Sequence, residues 1–255
     1  MYHELEIPGR PLCRGEAGYS RYVLPENNFR AHVDWLQQEK RRGLSVTEAL
    51  AFGSADAPEQ NCVAITFDDG CETDLIVAAP VLKEAGFKAT FYVTVGFLGQ
   101  PGRMDEKQLR ELSALGFEIG CHSMTHAYLT DLDDAGMRRE ILDAKAHLEQ
   151  ILGKPVEHFS WPGGRYNART LQVARNAGYL TVVNSRVQLY TVATGMHELG
   201  RIAVLRNTAL PEFRQLCNGE GLWQLRMRDR LRNAAKGLLG NSTYDRGRER
   251  LLRNS

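Results

Sequence analysis

The sequence predicts an α/β fold of parallel strand–helix units closed into a barrel. Three observations carry this. Short apolar and β-branched runs (Cys62 to Phe67, Lys88 to Val95, Phe117 to Cys121, Val156 to Trp161, Leu180 to Asn184) alternate with segments of helical spacing. Gly86, Gly116, Gly153 and Gly178 close those helical segments, as expected of a residue that takes the left-handed conformation at a helix end. Finally, 255 residues suit one (β/α) barrel and do not require a second domain.

Taken in order, Asn28 to Arg41 has helical spacing through Phe29, Val33 and Leu36, and Leu44 to Thr47 with Glu48 suggests an extended piece and a capped helix start. Residues Ser54 to Gln60 are expected to form a polar loop before the strand at Cys62. A helix is expected over Thr73 to Ala85, although Pro80 predicts a kink or a late start, because proline removes a helical N–H. Asp105 to Leu115, Asp133 to Leu152 and Ala168 to Ala177 are the next helices, and Arg201 to Leu205 is a further strand. From Leu222, leucines alternate with arginines as in one or two basic amphipathic helices, broken at Gly240-Asn241-Ser242.

The net charge of +1 hides an asymmetry. Residues 223–255 hold nine Lys/Arg against three Asp/Glu, about +6, which leaves about −5 on residues 1–222. The chain therefore divides into a barrel over 1–222 and a basic helical tail over 223–255; a solvated helix packed on the barrel is the favoured reading of that tail, and contact with an anionic membrane surface is the alternative. Few aromatic residues in that tail and an acidic body argue against nucleic acid. Five cysteines without a CxxC pair exclude a zinc finger and a disulfide framework and fit a reducing cytoplasm. No apolar run is long enough to span a bilayer, and Met1 to Arg10 lacks a signal-peptide core, so a cytoplasmic protein is expected, membrane-peripheral only if the tail touches lipid.

In a parallel barrel, functional groups gather where strands end. Asp68 and Asp69 end the first regular strand, His122 and His126 follow the third, and Trp161-Pro162-Gly163-Gly164-Arg165 follows the fourth. Imidazoles four apart lie on one face if the segment is a helical turn. One carboxylate with two histidines leaves a zinc-like ion open positions, and the second carboxylate is then free to deprotonate water. Cys71 and Cys121 beside these motifs read as small packing residues.

Thr66-Phe67-Asp68-Asp69-Gly70 and His122-Ser123-Met124-Thr125-His126, with strands such as Ala89-Thr90-Phe91-Tyr92-Val93 and Gly116-Phe117-Glu118-Ile119-Gly120, resemble the polysaccharide deacetylase family, the NodB homology domain of carbohydrate esterases. The resemblance runs from about Tyr2 to Leu205. It implies a distorted barrel of about seven or eight strands and metal-dependent hydrolysis of a sugar N-acetyl group, with carbohydrate as partner. It makes Asp68 the general base and Asp69, His122 and His126 the ligands of a divalent ion, zinc foremost, with cobalt, nickel or manganese as alternatives. Gly163 stands where a backbone N–H holds the oxyanion, and Trp161, Pro162, Gly164 and Arg201 are expected to line the substrate.

The later motifs depart from the family pattern. Ser160 stands where an arginine normally steadies the base, so Arg165 or Arg201 must replace it. Neither the fourth motif nor the histidine acid of the fifth is present; His197 and His3 are the candidate acids, and a metal-bound or substrate-assisted proton route is the alternative. Such departures resemble members associated with exopolysaccharide assembly. The alternatives are hydrolysis of a small amide and a glycan-binding protein with impaired catalysis.

Overall fold

A computed structural model of the chain describes residues 1–54, 61–191 and 193–229. The expected strand at 62–67 is realised as β4 (Cys62–Ala64) and β5 (Thr66–Asp69), on either side of Ile65. Before them come β1 (Leu5–Glu6), β2 (Leu24–Pro25) and β3 (Arg42–Leu44). After them come β6 (Thr90–Val93), β7 (Glu118–Cys121), β8 (His158–Ser160) and β9 (Thr181–Val183). Strands β5 to β9 form one parallel sheet in sequence order, and two further parallel pairs, β1–β2 and β3–β4, flank it.

The sheet curls because its edges are joined by irregular backbone. On the β5 side, Tyr2 N–H donates to Thr66 O (2.7 Å) and Tyr2 O accepts from Asp68 N–H (3.0 Å). On the β9 side, Leu199 bridges Val183 in parallel. The two edges then meet, since Met1 N donates to Ile202 O (3.0 Å) and Val204 N–H donates to Met1 O (2.9 Å). The expected strand over 201–205 is thus a corrected expectation: it has no regular ladder, because Ile202 and Val204 bond to Met1 while pairing with β9 falls to Leu199 upstream. The tail beyond Arg228 and Asp229 lies outside the described residues, though 222–229 is helical. Among the described residues, no helix is long and apolar enough to cross a membrane.

The helices follow their sequence signals. Ser45 and Glu48 make the reciprocal cap before Val46–Ser54, with Glu48 N–H on Ser45 Oγ (3.2 Å) and Ser45 N–H on Glu48 Oε2 (3.0 Å). The expected 73–85 helix changes winding just before Pro80: a π-helical turn (Asp74–Ala78), closed by Ala79 N–H on Asp74 O, runs directly into an α-helix (Ala79–Glu84), and the wider turn accommodates the N–H that proline lacks. The long 133–152 segment likewise carries a π-turn at Arg139–Asp143, between α-helices Asp134–Arg138 and Ala144–Leu152.

Strand register sorts the residues into two layers. Phe67, Phe91 and Ile119 stand side by side and join Phe117, Phe159 and Val182 in the large core beneath the helices. The alternate residues face the barrel interior, where Tyr92 packs with Val46, Val183 and Leu199. Gly120 is required there, because a Cβ would collide with the Tyr92 ring.

At the N-terminal end of the barrel, Glu118 accepts from Val46 N–H (3.1 Å) and Thr90 Oγ1 and faces His158 Nε2 at 3.2 Å. Burial opposes its ionisation, but the His158, Thr47 and Thr90 contacts outweigh burial and hold its pKa at about 2. A depressed carboxylate pKa contributes stability that is present above the unfolded value and lost as pH falls toward the folded one. Glu118→Gln is therefore expected to lower stability by about 2 kcal/mol at pH 7 and to flatten the stability loss between roughly pH 4.5 and 2. Urea unfolding across that range tests this, and parallel acid limbs for the two proteins would contradict it.

Candidate metal centre and active site

Neighbouring residues in a strand point to opposite faces, so Asp68 and Asp69 should diverge. They do not, because Asp69 has φ of 83° and ends the strand by turning its side chain back. Both carboxylates now address one imidazole: His122 Nε2 lies 3.8 Å from Asp68 Oδ2 and 3.6 Å from Asp69 Oδ1.

The segment from His122 to His126 is not the helical turn that the i, i+4 spacing suggested. It is an irregular loop with Ser123 at φ 70° and His126 at φ 63°, each a conformation costly for a residue with a Cβ. The surroundings hold it in place. Ser123 Oγ accepts from His126 N–H (2.9 Å), and buried Glu140 accepts from Thr125 N–H (2.8 Å) and Oγ1 (2.6 Å). His122 Nδ1 meets Ser160 O at 2.8 Å, which makes Nδ1 the protonated nitrogen and turns the Nε2 lone pair toward the carboxylates.

Asp69, His122 and His126 bring one ligand atom each within 4.8 Å of one another. His126 Nε2 and His122 Nε2 lie 3.5 and 3.6 Å from Asp69 Oδ1, close to the separation of about 3.4 Å that ligands with bonds of about 2.1 Å show around one tetrahedral ion. Asp69 Oδ1 is buried without a hydrogen-bond donor, as a metal-binding oxygen would be. Burial lowers the pKa of His126 to about 4, and neutral imidazole is the form that ligates. These residues fit a divalent cation.

Asp68 is held differently. Arg201 forks onto it, Nη1 to Oδ1 and Nη2 to Oδ2, both at 2.7 Å, and Nη2 also reaches Ser160 Oγ at 2.7 Å. Ser160 Oγ donates weakly to Asp68 at 3.4 Å. Burial alone would raise the Asp68 pKa, but Arg201 and His122 outweigh it and hold the carboxyl well below its usual range. Of the two arginines expected to steady the base, it is thus Arg201 that does so, with Ser160 beside it.

Three expectations are corrected here. Arg201 does not line the substrate, because it is buried against Asp68. Arg165 does not steady the base; its guanidinium lies 3.7 Å over the Tyr128 ring. Trp161 and Pro162 are buried, and Trp161 packs on Phe159 within the core rather than facing ligand. Gly163, at φ 61°, and Gly164 remain at the rim, with Tyr128 so close that a Cβ on Gly163 would meet its ring.

Of the two candidate acids, His197 bonds to Tyr179 O (3.0 Å), whereas His3 sits beside the carboxylates, which raise its pKa against a stronger lowering by burial. His3 Nδ1 is buried without a partner, and its ring packs on Tyr22 at 4.8 Å. Sequence reasoning missed Arg103, whose Nη1 lies 3.7 Å from Asp69 Oδ2, and Glu140. Neither belongs to a spaced motif.

A parallel barrel that gathers a cation-ready Asp–His–His group and a separately held carboxylate at its strand ends is a metallohydrolase type of architecture. The chain belongs to the polysaccharide deacetylase family, whose profile matches residues 55–182. It is 32% identical over 182 residues to YxkH of Bacillus subtilis (strain 168), covering 71% of this chain and 65% of that one. It is 36% identical over 126 residues to the peptidoglycan-N-acetylglucosamine deacetylase of Bacillus cereus, covering 49% and 56%. The fold matches the Streptococcus pyogenes deacetylase PplD, solved in complex with acetate, with TM-score 0.74 and 25% identity over 85% of this chain and 95% of that one. The chain thus spans 56–65% of the length of these two curated relatives.

Proposed function

We propose that this chain is a metal-dependent carbohydrate deacetylase that hydrolyses the N-acetyl group of an amino-sugar-containing glycan. The observation that carries this is the division of the carboxylates: Asp69 faces His122 and His126 with an undonated oxygen, while Asp68 is locked in its ionised form by Arg201. Zinc suits the Asp–His–His donor set best, and cobalt, nickel or manganese accept the same donors. When bound there, a divalent ion supplies Lewis-acid polarisation of water and of the acetyl carbonyl.

The protein's own groups do the rest. Asp68 accepts the proton of the attacking water, and Arg201 and Ser160 fix the direction of its lone pairs. His3, which interacts with both carboxylates and is neutral at rest because burial lowers its pKa, is the proposed carrier of the proton that the departing amine requires, once it has taken up a proton during turnover. Gly163 and Gly164 bring this loop's backbone close against Tyr128 and Ser185, and the backbone N–H of Gly163 is the group proposed to hold the oxyanion. Acetate and a free amino sugar are the products.

The test is elemental analysis of the purified protein combined with acetate release from N-acetylated and O-acetylated oligosaccharides and from simple amides. One equivalent of metal with release from N-acetyl sugars supports the proposal. Release from simple amides alone would overturn it. In the same assay, His3→Gln is expected to retain the metal and slow release by about a hundredfold, the usual weight of a general acid.

A further inference from the structure

Joined to Asp69 through Arg103 lies a second cluster that the proposed reaction does not use. Cys13, Cys71 and Glu4 bring their sulfurs and a carboxylate oxygen within 4.8 Å of one another. Both thiols are free, Cys71 fully buried and Cys13 half-buried. The segment Gly102-Arg103 holds them from two sides. Cys13 Sγ donates to Gly102 O (2.9 Å), and Cys71 pairs with Arg103 as an antiparallel bridge. Cys13 N–H reaches both oxygens of Glu4 (3.0 and 3.1 Å), and Tyr19 Oη donates to Glu4 Oε2 (2.9 Å). The cysteine backbones are thus fixed while the sulfurs face each other.

A cation is a poor occupant of this space. Arg103 Nη1 already lies 3.0 Å from Cys71 Sγ, so its guanidinium supplies the positive charge that a metal would bring. Two thiols within reach of each other have a different chemistry, and the geometry points to an oxidation site: Cys13 and Cys71 form a dithiol that a hydroperoxide closes to a disulfide, linking the N-terminal segment to the turn that follows the metal-binding carboxylate. Cys13 meets solvent first. Its sulfur attacks hydrogen peroxide, the O–O bond breaks, and the thiol proton leaves with the hydroxide as water, giving a sulfenic acid. The Cys71 sulfur then displaces the sulfenic hydroxyl, which leaves with the Cys71 proton as a second water. Two thiols are oxidised and one peroxide is reduced.

Closure reaches the site through Arg103. The same Nη1 that contacts Cys71 Sγ lies 3.4 Å from Asp69 O and 3.7 Å from Asp69 Oδ2. Drawing Cys71 Sγ to a bonding distance of about 2.05 Å from Cys13 removes it from the guanidinium and leaves Arg103 to Asp69. Competition for that carboxylate is expected to weaken zinc binding about tenfold, the scale of an outer-shell change. This last step rests on Asp69 being a metal ligand; the disulfide does not.

The test treats full-length protein with hydrogen peroxide, then counts thiols, maps peptides without reduction and titrates zinc into both forms. The expected result is the loss of two of the five thiols, a Cys13–Cys71 linked peptide, reversal by dithiothreitol, and tenfold weaker zinc binding when oxidised. Cys13→Ser, at a half-buried position, is expected to abolish the link and the zinc effect, with Cys62→Ser as the unaffected control. A link to any other cysteine, or persistence of all five thiols, overturns the oxidation site. A Cys13–Cys71 link with unchanged zinc affinity overturns the coupling through Arg103. Failure of the reduced protein to bind zinc overturns the metal reading instead, and the peptide map still decides the sulfur chemistry.

Discussion

Asp69→Ala is expected to leave the protein folded, unable to retain zinc and devoid of acetate release, whereas Asp68→Asn keeps the metal and loses turnover. The two substitutions differ by one position, yet the environments differ in kind. Asp69 presents Oδ1 without a donor beside two imidazoles, so removing it takes away a third of the cation's protein ligands. Asp68 has each oxygen bound by Arg201, and asparagine preserves the shape while removing the capacity to take a proton. A loss of about 10²- to 10⁴-fold in kcat is expected for Asp68→Asn, with metal content by elemental analysis still near one equivalent. Undiminished acetate release from Asp68→Asn would falsify the base assignment, and full metal content in Asp69→Ala would remove the ligand assignment.

The second large effect is expected at Arg201. Its replacement by methionine leaves Asp68 buried with no compensating fork, and removing one partner of such a pair typically costs about 3–5 kcal/mol. The sign of the pH effect follows from the same contact. In the wild type Arg201 holds the Asp68 pKa down, so the carboxylate contributes stability above its unfolded value of about 3.9 that is lost as pH falls below it. Without Arg201, burial dominates and the Asp68 pKa rises, so the acidic limb of kcat/KM moves to higher pH. Arg201→Lys, which keeps the charge but not the fork, is expected to lie between. Urea unfolding and pH–rate profiles of the three proteins test this. An unshifted acidic limb in Arg201→Met would show that some other group ionises Asp68.

How much of this was legible in the sequence differs residue by residue. The strands, their order and the glycine stops were readable because short-range periodicity encodes them. Asp68-Asp69 and His122/His126 were readable because the chemistry lies in close, fixed spacings. The helical turn expected between the histidines failed because two left-handed residues, Ser123 and His126, carry no glycine signal; bonds from distant Glu140 and local Ser123 stabilise them. Arg201 could be named only as one of two substitutes, since a contact spanning 133 residues leaves no trace in local pattern. Trp161 looked like a binding platform from its place beside the glycines, but which face of a strand end meets the core is decided by register with its neighbours. Glu140 and Arg103 were invisible for the same reason: each acts across the fold on a loop or carboxylate that the sequence places far away.

The closure of the barrel by its two outermost segments sets the order in which the site can be born. Asp68, Asp69, His122 and His126 lie within 60 residues, and the Glu140 and Ser160 contacts that orient the two histidines come no later than β8. Arg201 joins only when the segment after β9 docks beside Met1 and Tyr2, which also seat His3. During synthesis the residues of the cation-binding group therefore emerge before Arg201, and the ion pair that holds Asp68 ionised is expected to form last. Maturation of activity becomes a late folding event, triggered when the last strand-like segment reaches the first.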